Sequence, residues 1–160
     1  MPIQMTQIRK LNAVRIISRK DSAIDQSATD WESYDEDPVK NAKAITVNKG
    51  QEPTVFICNF DTSGKEGAKI KNALISGVDD DKNAKITMGD WQYTVVRICL
   101  KGIENPPGVA DTIEFKKDGN NYVSERTMDM LERVGLVAEI FGHYTTLTKE
   151  DEDVKVNAKN

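Results

Sequence analysis

Residues 123–147, VSERTMDMLERVGLVAEIFGHYTTL, constrain the fold more than any other part of this chain, because no other run is as long or as regularly periodic. Ser124 stands where a helix needs an N-cap, its hydroxyl able to accept an unpaired first-turn amide, and Glu125 places negative charge at the positive helix end. Val123 and Met128 have the N′ and N4 spacing of a hydrophobic staple. Leu131, Val134, Ala138 and Phe141 then recur at helical spacing, while Arg126, Asp129, Glu132 and Arg133 occupy other faces. From Val134 to Phe141 nearly every face is apolar, which makes this half the expected hub of the core and an expected partner face. Gly135 is where the run is expected to bend or split, since glycine inside a helix costs about 1 kcal/mol relative to alanine.

A helical hub needs a second layer, and several short runs are suited to supply a sheet. Ile8, Leu11 and Val14 have helical spacing, but VRIIS reads as a strand, and a strand over Ala13–Arg19 is favoured. Ala44–Asn48 and Thr54–Phe60 flank KGQEP, where Gly50 and Pro53 carry turn chemistry, and read as an antiparallel hairpin. The β-branched and aromatic TVFICNF is its more buried strand. After a turn at Asp61–Gly64, Lys69, Ile70, Ala73 and Leu74 suit a short helix ended by Gly77, with Ile70 and Leu74 toward the sheet. Trp91–Leu100 supports two readings: its β-branched composition suits a strand, whereas Trp91, Val95, Ile98 and Cys99 mark a helical face that Asp90 would cap. Asn105-Pro-Pro-Gly108 stops either one. Thr112–Phe115 and Asn121–Val123 flank KKDGN, an Asp-Gly hairpin signal, and residues 148–160 form a polar tail without a core pattern.

The expected class is therefore α+β: a small antiparallel sheet packed against C-terminal helices, with an extended acidic N-terminal arm. Residues 1–40 would form the first strand and arm, 41–148 the core domain, and 149–160 the tail. At 160 residues the chain can build an ordinary core without covalent staples. Cys58 and Cys99 lie in apolar runs, where a cysteine behaves as a small buried hydrophobe, and this favours a reducing compartment over a disulfide.

Charge is placed unevenly along the chain. Residues 1–20 carry Arg9, Lys10, Arg15, Arg19 and Lys20 with no acid, and residues 21–37 carry Asp21, Asp25, Asp30, Glu32, Asp35, Glu36 and Asp37 with no base. Such blocks fold back on each other, dock on a partner of opposite charge or simply face solvent, and solvated segments are the favoured reading. Trp31 and Tyr34 are unusual for a linker, and they are expected to anchor the arm on this subunit or on a neighbour. The candidate partner-binding residues are thus Trp31, Tyr34, Val134, Val137 and Phe141. A net charge of −4 argues against general nucleic-acid binding. No apolar run approaches a membrane span, and MPIQMTQIRK lacks the apolar core of a signal peptide, so an intracellular location is expected.

Three patterns touch on chemistry. Asp79, Asp81, Asn83 and Asp90 match positions of a calcium loop, but Ala84 replaces its turn glycine and an aspartate its final glutamate. An exposed acidic turn is the expected state. Glu139 precedes the sole histidine, His143, by one helical turn, a spacing that more often gives a helix-surface contact than an acid–base pair. TSGKEG at 62–67 lacks the first glycine and the Ser/Thr of a phosphate-binding loop. No catalytic residue, metal site or cofactor is expected.

The PTVF strand start, the block VVRICLKGIEN, a glycine-containing spacer and MLERVGLVAEIFGHYTTLTKED before a polar tail resemble small accessory proteins of tailed bacteriophages. These tail-assembly-chaperone-like or minor structural proteins are encoded among head and tail genes. The resemblance spans Pro53–Glu152, most closely Arg97–Asn105 and Met130–Thr148. It implies a helix for Trp91–Leu100 and a non-enzymatic role in virion assembly. The implied partners are head or tail structural proteins and further copies of this chain. The implied location is the host cytoplasm during assembly, with retention in the virion as a second possibility. The alternative is a phage-encoded inhibitor or regulatory module that binds a host protein. Val134→Asp and Phe141→Asp are each expected to abolish folding or assembly.

Overall fold

Ser124 caps a helix as its position predicts: its Oγ accepts from the Thr127 amide at 3.2 Å, and the flanking staple residues Val123 and Met128 are fully buried. The helix it starts, α4 (Glu125–Arg133), ends where Gly135 adopts φ 76°, a left-handed conformation that glycine takes without strain. The Gly135 amide donates to Glu132 O at 3.1 Å, and a separate helix, α5 (Leu136–Ala158), starts at the next residue. The run therefore splits into two helices at Gly135. α5 also continues through the stretch expected to be a polar tail. KEDEDVKVNA contains neither glycine nor proline, so a helix already nucleated by the packed half propagates through it.

The computed structural model describes residues 11–61, 64–75, 88–106, 115–116 and 122–158. Its main sheet has β1 (Val14–Ile16), β2 (Val55–Cys58) and β3 (Leu100–Glu104) in the order β1-β2-β3, all antiparallel. Val14, Ile16, Phe56, Cys58 and Leu100 are buried beneath the helices, while Arg15 lies opposite Ile57 on the outer face. There its guanidinium reaches across β2 to donate twice to Glu104, at 3.0 and 2.7 Å. Both side chains are about half exposed, so this pair fastens the edge strands only modestly.

Between β1 and β2, beyond Ile17, the chain makes a long excursion over residues 18–54. It holds α1 (Trp31–Glu36) and one 3₁₀ turn (Ala42–Ala44). The expected hairpin of Ala44–Asn48 with Thr54–Phe60 does not form. Residues 46–48 instead pair within the excursion: Ile24 bridges Val47, the Asp25 amide donates to Thr46 O, and the Asn48 amide to Ala23 O, each at 2.8 Å. Val55–Cys58 is left free to take β1 and β3 as neighbours, which buries a run too apolar for a two-stranded ribbon. The excursion also crosses the boundary expected at residue 40, since the Asp30 amide donates to Ala44 O at 3.0 Å.

The ambiguous run 91–100 is helical. α3 (Met88–Cys99) begins before Asp90, which sits in its first turn rather than at the cap. β3 then starts at the next residue, Leu100, so helix and strand share one β-branched stretch with no loop between them. A register shift after Ile57 marks the junction, and the Asn59 amide donates to Cys99 O at 2.8 Å. α2 (Gly64–Ile75) buries Ile70 as expected. The ribbon of β4 (Phe115–Lys116) and β5 (Tyr122–Val123) confirms the second hairpin, with its Asp118-Gly119 turn outside the described residues. The core gathers Val95, Val96 and Ile98 of α3, Met128 and Leu131 of α4, and Val137, Ile140 and Leu147 of α5. Aromatic edges lock these layers: Trp91 meets Phe141 at 5.0 Å and Phe60 meets Tyr144 at 5.7 Å between centroids.

At Gly135 an alanine Cβ would lie 2.6 Å from Lys20 Nζ as well as demanding a left-handed φ. Gly135→Ala is expected to destabilise the fold by about 1–2 kcal/mol from the backbone term alone. Ser124→Ala, which removes only the cap, should cost about 1 kcal/mol. Equilibrium denaturation of both variants checks the pair, with Gly135→Ala the more harmful.

Candidate functional site

A cleft of about 620 Å³ opens where the start of the excursion, residues 51–54, Asn105–Pro106 and the α4–α5 elbow meet. Phe56, Ala23 and Leu136 give it an apolar floor, and Val134 stands at its lip, 52% exposed. The polar groups around it hold the chain together. Lys20 Nζ donates to Val134 O, bringing positive charge to the negative end of α4. Asp21 accepts from the Ala23 amide at 2.9 Å and, with its other oxygen, from the Thr54 amide at 2.7 Å, tying one end of the excursion to the other. Thr54 Oγ1 donates to Asn105 O at 2.5 Å, and Asn105 Nδ2 returns a bond to Pro53 O at 3.1 Å. Asn105, at φ 51°, takes the left-handed conformation that asparagine tolerates best among non-glycine residues.

The acidic segment is built from turn and cap chemistry. Asp25 accepts from the Ser27 and Ala28 amides and the Ser27 hydroxyl, Asp30 caps α1 through the Ser33 amide, and Asp37 accepts from the Val39 and Lys40 amides. Asp35 forms an ion pair with Arg19, whose guanidinium also lies over the Trp31 ring at 5.5 Å. Every aspartate from 21 to 37 is thus engaged within the chain, whereas Glu32 and Glu36 are exposed. The Ser27 hydroxyl holds the Asp25 carboxyl below its usual range, and the Ser33 hydroxyl does the same for Asp30.

Tyr34 fastens the excursion to the rest of the molecule. It is 1% exposed, and its hydroxyl accepts from the Ile17 amide, just beyond β1, at 2.9 Å. Its ring meets Trp31 edge-on at 5.7 Å and His143 of α5 at 5.5 Å. Burial pushes its phenol up to about 12. Beside it Glu139 accepts from Ser18 Oγ and from the Arg19 amide, one bond to each oxygen and both at 2.7 Å. His143 is 7% exposed, and burial lowers its pKa against the attraction of Glu139 one turn earlier. Cys58 and Cys99 are fully buried and unbridged, and burial raises the Cys58 thiol well above its ordinary value.

The five candidate partner residues separate sharply. Tyr34, Val137 and Phe141 lie inside the chain's own core, Trp31 is half-buried against Arg19 and Tyr34, and Val134 alone is well exposed. Sequence reasoning missed the pairing of Ser18, Arg19 and Lys20 with α5 and the elbow. Its one available signal is the basic run ending at Lys20, for which folding back is the alternative to the favoured solvated reading. Asp79, Asp81 and Asn83 of the calcium-loop match lie outside the described residues. Among the described residues no group of three His, Cys, Asp or Glu side chains is arranged to hold a metal, and no helix is long and apolar enough to cross a membrane.

Tyr34→Phe keeps the ring but leaves the Ile17 amide without its acceptor, which should cost about 1–3 kcal/mol. Tyr34→Ala also empties the packed space, and a loss of about 3–5 kcal/mol is expected. Urea titration followed through Trp31 fluorescence measures both. Equal stability of wild type and Tyr34→Phe would show that the hydroxyl bond contributes nothing.

Comparison with protein-family models, curated proteins and solved structures finds no match for the chain.

Proposed function

We propose that this chain is a non-enzymatic accessory protein of tailed-phage assembly that acts by binding head or tail structural proteins. The observation that supports this reading is that, among the described residues, the cysteines, the histidine and its neighbouring glutamate are all engaged in structure. Cys58 and Cys99 are enclosed by apolar neighbours, His143 lies under Tyr34, and both Glu139 oxygens accept bonds from the excursion. A general base or nucleophile needs a reachable atom and a substrate pose within hydrogen-bond distance. A binding protein needs only a shaped surface, and the cleft beneath Val134 supplies one. The order of PTVF, VVRICLKGIEN and MLERVGLVAEIFGHYTTLTKED supports the phage assignment. The location that follows is the host cytoplasm during assembly.

The two hub positions are expected to respond differently. Phe141→Asp puts a charge among Trp91 and Tyr144 and should prevent folding. Val134→Asp changes an exposed lip, so its stability should stay within about 0.5 kcal/mol of wild type while partner binding weakens. Circular dichroism followed by binding to co-expressed head and tail proteins separates the two effects. Deleting the coding sequence from its phage should leave unfinished heads or tails. Normal particle yield would contradict the assembly role, and capture of a single host protein instead would favour an inhibitor.

A further inference from the structure

The chain's single histidine is placed where a proton would act on two fastenings of the excursion together. His143 supports the Tyr34 ring from below, at 5.5 Å between centroids. Glu139 lies one turn earlier on the same helix, and its carboxylate favours a charged imidazole. Both of its oxygens are already committed, to Ser18 Oγ and to the Arg19 amide. The described charged or titratable groups around the imidazole are Glu139 from α5 and Tyr34 and Arg19 from the excursion. Asp35 is paired with Arg19, and Cys58 of β2 faces Tyr34.

We propose that His143 is a proton-operated catch: charging its imidazole draws Glu139 away from Ser18 and Arg19, undercuts Tyr34, and releases residues 18–54 from α5 and from the Ile17 amide at the end of β1. A neutral imidazole suits the enclosed site, because burial disfavours the charged form. An imidazolium there attracts the Glu139 carboxylate and repels the Arg19 guanidinium, and both forces strain the same junction. Release leaves the excursion's internal bonds intact, since its aspartate turns and the Ile24–Val47 bridge do not involve α5. What it uncovers is the Ile17 amide beside β1 and the packed side of Tyr34.

The sign follows from which state binds the proton more tightly. The released imidazole titrates at its ordinary 6.5 and the docked one lower, so docking is strongest above 6.5 and weakens as pH falls toward the docked value. Asp25 and Asp30, both held below the ordinary carboxylate range, protonate far below 6.5, so the onset of weakening is separable from theirs.

The test titrates the full chain from neutral pH to pH about 5, above the ordinary carboxylate range. It follows the imidazole proton resonance of His143, Trp31 fluorescence in a Trp91→Phe background, and hydrogen exchange at the Ile17 amide. The expected result is one shared midpoint below 6.5, with the opening constant at Ile17 rising by up to about tenfold per pH unit, the slope of a one-proton linkage. His143→Gln should flatten the Trp31 response. Persistence of that response in His143→Gln, or titration of His143 with no change at Trp31 and Ile17, would overturn the proposal. Should His143→Gln fail to fold, coincidence of the three wild-type midpoints decides it: coincident midpoints uphold it, and separated ones reject it.

Discussion

The hydroxyl of Tyr34, accepting from the Ile17 amide, is the contact on which the rest of this architecture depends. A three-residue strand such as β1 has little ladder of its own, and the backbone just beyond it would present an unpaired donor. Tyr34 satisfies that donor from a helix far along the excursion and fills the space between β1 and α5 with its ring. One side chain therefore couples sheet, excursion and helical layer. The neighbouring bonds from Ser18 and Arg19 to Glu139, and from Lys20 to Val134 O, extend the same seam along α5 to the elbow.

This seam gives the acidic segment a different meaning from the one its charge suggests. A run of acids without bases reads as a surface waiting for a cationic partner. Its aspartates instead supply what a chain with little regular structure lacks: side-chain acceptors for backbone amides that no helix or strand satisfies. The excursion is a compact unit closed on itself by Asp21 and Thr54. Among the described residues the cleft beside Val134 mixes polar rims with an apolar floor, and its proposed role rests on that shape more than on net charge.

How much was legible in the sequence depended on how local the determining physics is. The cap at Ser124, its staple, the break at Gly135 and the burial of the cysteines all follow from residues within one or two turns, and each was readable. The β4–β5 ribbon and the α+β class were readable for the same reason. The strand partners of TVFICNF were not. A hairpin with Ala44–Asn48 satisfied every local rule, and only the pairing of 46–48 with 23–25 within the excursion excludes it. The α3–β3 junction hid for another reason: VVRICLKGIE has one composition and two conformations, and Leu100 changes from one to the other without turn residues. For the candidate partner residues, neither an aromatic type at Trp31 and Tyr34 nor an all-round apolar run at 134–141 says which side chains the chain covers itself.

The central claim, that Tyr34 makes the excursion one cooperative unit docked through the Ile17 amide, is tested most directly by native-state hydrogen exchange. The relevant amides are Ile17, bonded to Tyr34, and Asp25 and Asn48, bonded inside the excursion, with those of β2 as reference. In wild type the Asp25 and Asn48 amides should open together and the Ile17 amide at least as readily, all three below β2. In Tyr34→Phe the Ile17 amide should remain the least protected, while β2 loses no more than the fall in global stability. Exchange of Ile17 at the β2 rate in both proteins would contradict it.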